Sequence, residues 1–147
     1  MIVVSKIQRR LLKDTSEYVR LATMNWEESR EVKVSLTQAK EGYDLYLAHD
    51  DDELIAVSTL AKVENTGLQY INTLLPENTI KEFYQVCSFA GIHKGGGRAI
   101  METYIELAQL SGLPLYINSV FRAIDFYIKF KPDFLKERQF IFNLCLA

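Results

Sequence analysis

Four of the chain's seven glycines crowd into residues 91–97, in the run Gly91-Ile92-His93-Lys94-Gly95-Gly96-Gly97-Arg98. An apolar, strand-like run ends just before it, and a strong helical pattern begins just after it. A glycine-rich turn that feeds a helix exposes several backbone N–H groups without intrahelical partners, with the positive end of the helix dipole behind them. Such a junction is an anion cradle, and a phosphate is the anion that suits it best.

The rest of the chain limits whose phosphate this is. At 147 residues, 48% hydrophobic and 12% aromatic, the sequence reads as one domain over 1–147 with a full core. A formal charge of −2 gives no global reason to expect a nucleic acid or an anionic membrane as partner. The charge is uneven. Residues 1–90 carry 10 Lys/Arg against 14 Asp/Glu, and residues 91–147 carry 7 against 5, so the glycine turn opens a mildly basic half. Cys87 and Cys145 are too few for a disulfide framework and lack metal-ligand spacing, so no metal is expected. Met1-Ile2-Val3-Val4 is too short an apolar run for a secretory leader, and no later run could span a bilayer. The expectation is a cytoplasmic protein with reduced thiols.

The periodicity gives a mixed α/β order. Residues 2–7 suit a first strand. Asp14 with Glu17 makes a capping-box-like start to a helix carrying Tyr18, Val19, Ala22 and Trp26. A second helix is expected over 30–40, stopped by Gly42. Tyr43, Leu45 and Leu47 then alternate with Asp44, Tyr46 and Ala48. The polar turn 49–53 and the β-rich run 54–62 complete a hairpin. Residues 68–74 suggest another strand, and 82–88 one more. After the glycines, Ile100, Met101, Tyr104, Ile105 and Ala108 define a helix face, closed by Gly112 and Pro114. A short strand over 115–118 follows. Ser119 can then cap a helix carrying Ala123, Ile124, Phe126, Tyr127 and Phe130, which Pro132 ends. Residues 140–146 form a terminal strand. Strand–helix–strand in the C-terminal half predicts a parallel pair.

Spacing tests three glycine motifs. A P-loop NTPase places Lys and Ser/Thr where this chain has Gly97 and Arg98, which removes that reading. A dinucleotide fingerprint needs glycines at 95, 97 and 100 and an acid at the next strand's end, whereas position 100 is Ile and that strand ends in Asn118-Ser119. From about Tyr43 to Phe142 the chain instead resembles the Gcn5-related N-acetyltransferase superfamily. Gly95-Gly96-Gly97-Arg98-Ala99-Ile100 falls on the Gly-x-Gly-x-Ala-Leu part of its signature. Ala123-Ile124-Asp125-Phe126-Tyr127-Ile128-Lys129 matches its Ala-Ile-x-Phe-Tyr-x-Lys helix. The order of elements, β-α-α-β-β-β-α-β-α-β around a central mixed sheet, agrees as well.

The resemblance implies a transfer of an acetyl group from acetyl-CoA to a primary amine by direct attack. The amides of about Lys94 to Ala99 would hold the pyrophosphate, with Lys94 and Arg98 adding screened charge and His93 and Asn118 among the cofactor-binding residues. The backbone of Val86, Cys87 and Ser88 would polarise the thioester carbonyl. Tyr127 would protonate the leaving thiolate, a sensible role for a phenol of pKa about 10. Cys87 has no His or Asp partner nearby in sequence and reads as a small core residue, not a nucleophile. For the general base, Glu82 on the central strand, Glu64, Glu27 and Glu28 are the candidates. A homodimer through the terminal strands also comes with the resemblance.

The chain departs from the family pattern at three places. Ile92 stands where Gln or Arg is usual, Val120 where Asn often precedes the Ala, and Lys131-Pro132 in place of Gly-Phe. A catalytically silent module on the same fold, acting by binding alone, is therefore the alternative reading. A protein that binds ATP or NAD is the third.

Overall fold

The computed structural model describes residues 1–7, 38, 42–64 and 80–143, and the structure below is that of these residues. The helix expected over 14–26, the strand over 68–74 and the candidate bases Glu27 and Glu28 lie outside them. Of the helix expected over 30–40, only Gln38 is described, and it is helical.

Strand β1 (Ile2–Ile7) pairs antiparallel with β2 (Asp44–Asp50), which pairs antiparallel with β3 (Glu53–Glu64). Residues 45–48 and 54–60 are buried without interruption. Such continuous burial belongs to strands covered on both faces, and explains why the apolar runs here do not alternate cleanly. Strand β4 (Glu82–Gly91) is followed by helix α1 (Gly96–Ser111) and strand β5 (Leu115–Asn118), and β4 and β5 are parallel. A parallel pair needs a crossover, and α1 supplies it. The helix exists because Ile100, Met101, Tyr104 and Ala108 recur on one face, all fully buried. A single turn of 3-10 helix (Phe121–Ala123) and the short helix α2 (Ile124–Ile128) then lead to strands β6 (Asp133–Lys136) and β7 (Gln139–Phe142). The seven strands run in the order β1-β2-β3-β4-β5-β7-β6.

By contact density the chain divides into two compact units, with β3 and β4 each contributing to both. The first comprises Met1–Ala61 and Cys87–Thr103. Its core is Leu45, Leu47, Leu54, Val57 and Ala90, with Ile7 and Ile92 packed against them. The second comprises Lys62–Val86 and Tyr104–Ala147, built on Phe83, Tyr116 and Ile141. In that unit α1 ends as its sequence requires. Gly112 takes φ +69°, Leu113 N–H donates to the Ala108 carbonyl at 3.1 Å, and the Asn143 amide clamps the carbonyls of Ala108 and Leu113 at 2.8 and 3.0 Å.

Three expectations are corrected. Strand β4 does not stop at 87–88 but continues to Gly91, because Gly91 lies in extended backbone and not in the turn. Ser119 caps nothing; its hydroxyl donates to the Val120 carbonyl, and the segment enters α2 through the 3-10 turn. Strand β6 was not foreseen beyond Pro132. It is four residues long and among the described residues pairs only with β7, a hairpin edge too short to show a period.

Candidate functional site

The glycine turn belongs wholly to the first unit. Beyond Gly91 the chain leaves the sheet, and the N–H groups of Ile92 and His93 both donate to the carbonyl of Ile55, at 2.9 and 3.1 Å. That carbonyl is available because β3 carries a bulge there. Ala48 faces Ala56 and His49 faces Leu54, so Ile55 is the extra residue. Gly95 then adopts φ +93°, a conformation that costs glycine nothing. At Gly96 the approach to β3 is closest: an added Cβ would stand 2.5 Å from the Ile55 oxygen and 2.9 Å from Ala56 Cβ. Gly96 N–H donates to the His93 carbonyl at 3.3 Å, and the first helical bond of α1 is Ala99 N–H to Gly95 at 3.1 Å.

This leaves a set of donors. Among the described residues, no protein group accepts from the backbone N–H of Lys94, Gly95, Gly97 or Arg98. The first turn of α1 contains no acidic residue and does contain Arg98, so no side chain of that turn offsets the positive end of the helix dipole. Unclaimed donors at a helix start suit negative charge, and the residues present fit a phosphate.

The side chains expected to help are placed as follows. Lys94 is exposed. Arg98 is exposed and its Nε donates to Glu102 one turn on, at 2.8 Å. His93 Nε2 meets Glu53 Oε1 at 2.9 Å, which ties the turn to the start of β3. Ala99 accepts from Thr103 Oγ1 through its carbonyl. Ile92 is committed to the apolar core, so the position where the family pattern has Gln or Arg here anchors the turn. Neither Ile55 nor Glu53 had a signal in the sequence. One acts through a carbonyl, and the other is an ordinary hairpin acid.

Val86, Cys87 and Ser88 lie in β4 past the end of its ladder with β5, which holds only Tyr84 opposite Leu115 and Gln85 opposite Tyr116. The Ser88 carbonyl accepts from Ser58 Oγ at 2.6 Å. Burial pushes the Cys87 thiol up to about 11, the backbone hydrogen bond of Ala61 acting weakly the other way. At neutral pH it is a thiol and not a nucleophile.

In the second unit, Tyr127 is 5% exposed on α2. Its ring stands edge-on to Phe126 at 5.1 Å and 6.2 Å from Phe140. Burial raises its phenol well above the ordinary tyrosine range. Asn118 is exposed at the end of β5, opposite Gln139. Glu82 opens β4, at the other end of that strand from the residue leading into the glycine turn. It pairs with Lys62 at 3.3 Å and lines a groove of about 480 Å³ with Lys81, Ser111 and Pro114. The other acid described, Glu64, ends β3 and is exposed.

A mixed seven-stranded sheet with a parallel β4–β5 step and an uncapped helix start after β4 is the Gcn5-related N-acetyltransferase fold. No protein-family model matches the sequence, and no curated protein matches it by sequence. Solved structures match it by fold. The Bacillus subtilis N-acetyltransferase YlbP, crystallised with coenzyme A, aligns over 97% of this chain and 96% of its own, at 13% identity and TM-score 0.60. A GNAT-family acetyltransferase of Staphylococcus aureus Mu50 aligns over 99% and 100%, at 11% identity and TM-score 0.57. A bacterial toxin aligns over 97% and 90%, at 12% identity and TM-score 0.64. The chain is a divergent bearer of this fold, similar to acetyltransferases that bind coenzyme A.

Proposed function

We propose that the protein is an N-acyltransferase that moves an acetyl group from acetyl-CoA to a primary amine. The observation that carries this reading is the row of four unclaimed amides at Lys94, Gly95, Gly97 and Arg98, set on a fold whose solved examples include coenzyme A complexes. A turn anchored on the Ile55 carbonyl through Ile92 and His93 holds these amides in place, so they need no reorganisation to receive a diphosphate.

In the reaction the amine nitrogen attacks the thioester carbon, the carbon–sulfur bond breaks, and an amide and free CoA result. The amine gives up one proton and the thiolate takes one. The backbone N–H groups of Val86–Ser88, beyond the β4–β5 ladder, are assigned to the carbonyl oxygen as it gains charge. Tyr127 is assigned to the departing thiolate. Its burial keeps the phenol protonated throughout the neutral and mildly alkaline range, so it is available as a donor. Lys94 and Arg98 add charge that solvent screens.

A thermal-shift panel tests this directly, because a ligand that binds only the native state must raise its melting temperature. Acetyl-CoA and CoA should each raise Tm, whereas ATP and NAD should not, and amine-dependent release of free thiol should follow. A shift with CoA but no thiol release across a broad amine panel would favour the silent module. No shift with millimolar CoA would remove the reading altogether.

A further inference from the structure

Arg138 sits in the tight turn between β6 and β7, and two contacts fix its position. Its carbonyl accepts from the Ser119 N–H at 2.9 Å. Its guanidinium carbon stands 4.4 Å from the centroid of the Phe121 ring. Both contacts join the turn to the segment that leaves β5 and enters α2, all within the second unit. Stacking occupies one flat face of a guanidinium and leaves the N–H groups at its edge available. Here nothing claims them. Among the described residues, no carboxylate pairs with Arg138, its neighbour Glu137 included, and no side-chain hydrogen bond is made. The side chain is half-buried, yet its unpaired nitrogens are not sealed from solvent.

The stack does little to shelter the ring. Phe121 stays 74% exposed, and Val120 beside it is 56% exposed. The effect runs the other way: the ring holds the plane of the guanidinium. A guanidinium held in this way has given up rotamer freedom before any ligand arrives, and its parallel N–H groups match the two oxygens of a carboxylate.

We infer that Arg138 receives a carboxylate of the acceptor, so that the substrate is an amine that also bears a carboxylate, with its apolar part against Val120 and Phe121. The inference rests on the acyltransferase reading above. Position supports it as well as chemistry. Phe121 opens the 3-10 turn that runs directly into α2, and α2 carries Tyr127, the residue assigned to the departing thiolate. From the other side, Phe140 in β7, the strand that follows Arg138, lies against the Tyr127 ring with centroids 6.2 Å apart. Anchor and proton donor are thus borne by the same two segments. A neutral amine leaves the guanidinium without a partner, and a cationic group in that place is repelled, so the arrangement selects among amines.

The test uses the full chain, acetyl-CoA and acceptor pairs that differ only in the carboxylate: phenylalanine with phenethylamine, leucine with isoamylamine, and 4-aminobutyrate with propylamine. At equal concentrations of free amine, wild type should release thiol faster with the acid of at least one pair than with its neutral twin. Arg138→Gln should raise KM for that acid about tenfold or more, the loss expected for a hydrogen bond between charged groups, and should leave KM for the neutral twin within about twofold. Following each acceptor across the variants cancels differences in amine basicity. Arg138→Lys keeps the charge without the planar fork and should fall between wild type and Arg138→Gln. Phe121→Leu removes the stacking and should raise KM for the acid about threefold, the worth of an exposed cation–π contact. All three variants should keep the CoA-induced rise in Tm. Equal losses with acid and neutral twin would reduce Arg138 to a prop for its turn and overturn the proposal, leaving the acyltransferase reading intact. So would a wild type with no preference for any acid. A loss that disappears when acetyl-dephospho-CoA replaces acetyl-CoA would assign the guanidinium to the cofactor's ribose phosphate, and also overturns it. A wild type that binds CoA but acetylates no member of any pair removes both.

Discussion

The carbonyl of Ile55 accepts from Ile92 and His93 and leaves Gly96 no space for a side chain, so one backbone oxygen both anchors the glycine turn and sets where α1 begins. Gly96→Ala should therefore cost about 1–3 kcal/mol, the usual penalty of forcing a methyl into a packed contact. It should weaken CoA binding more than its stability cost alone implies, because the four amides move with the helix start. Gly91→Ala is the internal control. A Cβ there meets nothing within 4 Å, so its stability should stay within about 1 kcal/mol of wild type. Urea unfolding of the two variants, followed by titration with CoA, separates the outcomes.

The elements that announced themselves in the sequence are those with local chemistry of their own. The hairpin 44–64 is signalled by its acidic turn, α1 by its four-position apolar face, and the close of α1 by Gly112 and Pro114. The parallel step from β4 to β5 followed from having a helix between them. What could not be read depends on partners distant in sequence. Gly91 looked like part of the turn because it is a glycine, but it continues β4. Ile92 looked like a lost phosphate contact, and its place in the core beside Leu54 and Ala90 gives it a different task. The bulge at Ile55 has no sequence mark, since it is defined only by what lies opposite it in β2. The hydrogen bonds of Thr59 Oγ1 with Gln38 Oε1 and Ser88 Oγ join three separate segments, and no spacing rule connects them.

If main-chain donors dominate the cradle, removing its cations should matter little. Arg98 already shares its Nε with Glu102, and both Arg98 and Lys94 are exposed. Lys94→Ala with Arg98→Ala should weaken CoA binding by no more than about tenfold at 0.15 M salt, in keeping with the small worth of exposed charge. The residual binding should lose most of its dependence on ionic strength. Calorimetry at two salt concentrations checks both statements. A loss of a thousandfold or more would transfer the main role from the backbone to the side chains.

Cys87 gives a prediction about pH. Its thiol is pushed up from 9.0 to about 11 by burial, so the folded state holds this proton more tightly than the unfolded state does. The associated stability is fully present below pH 9 and is lost as the pH rises from about 9 to about 11. Buried Tyr127, also shifted upward, adds a loss of the same sign above its ordinary value near 10. Unfolding midpoints measured from pH 7 to pH 10.5 should fall at the alkaline end, and Cys87→Ala should flatten the first part of that fall. Alkylation of Cys87 at pH 7.5, followed by peptide mass spectrometry, should be far slower in the native than in the unfolded protein. The same variant should keep its acetyl-transfer activity, because the thiol is assigned no part in it.

Tyr127→Phe is the sharpest test of the assigned proton donor. The ring packs against Phe126 and Phe140, and Phe preserves that packing, so the fold should survive with a modest drop in Tm. Loss of a positioned general acid should lower kcat by about 10²-fold or more, with the CoA-induced rise in Tm retained. The pH profile carries the signature. Because burial raises the phenol above its ordinary range, the wild-type rate should show no alkaline decline attributable to this group up to about pH 10. Reactivity of the acyl donor is the natural partner measurement. An acyl donor whose leaving thiol is much more acidic than CoA needs less help from a proton donor, so the deficit of Tyr127→Phe should shrink with acetyl thioesters of aromatic thiols. An equal deficit with every thioester would place Tyr127 in the packing of α2 and not in the chemistry.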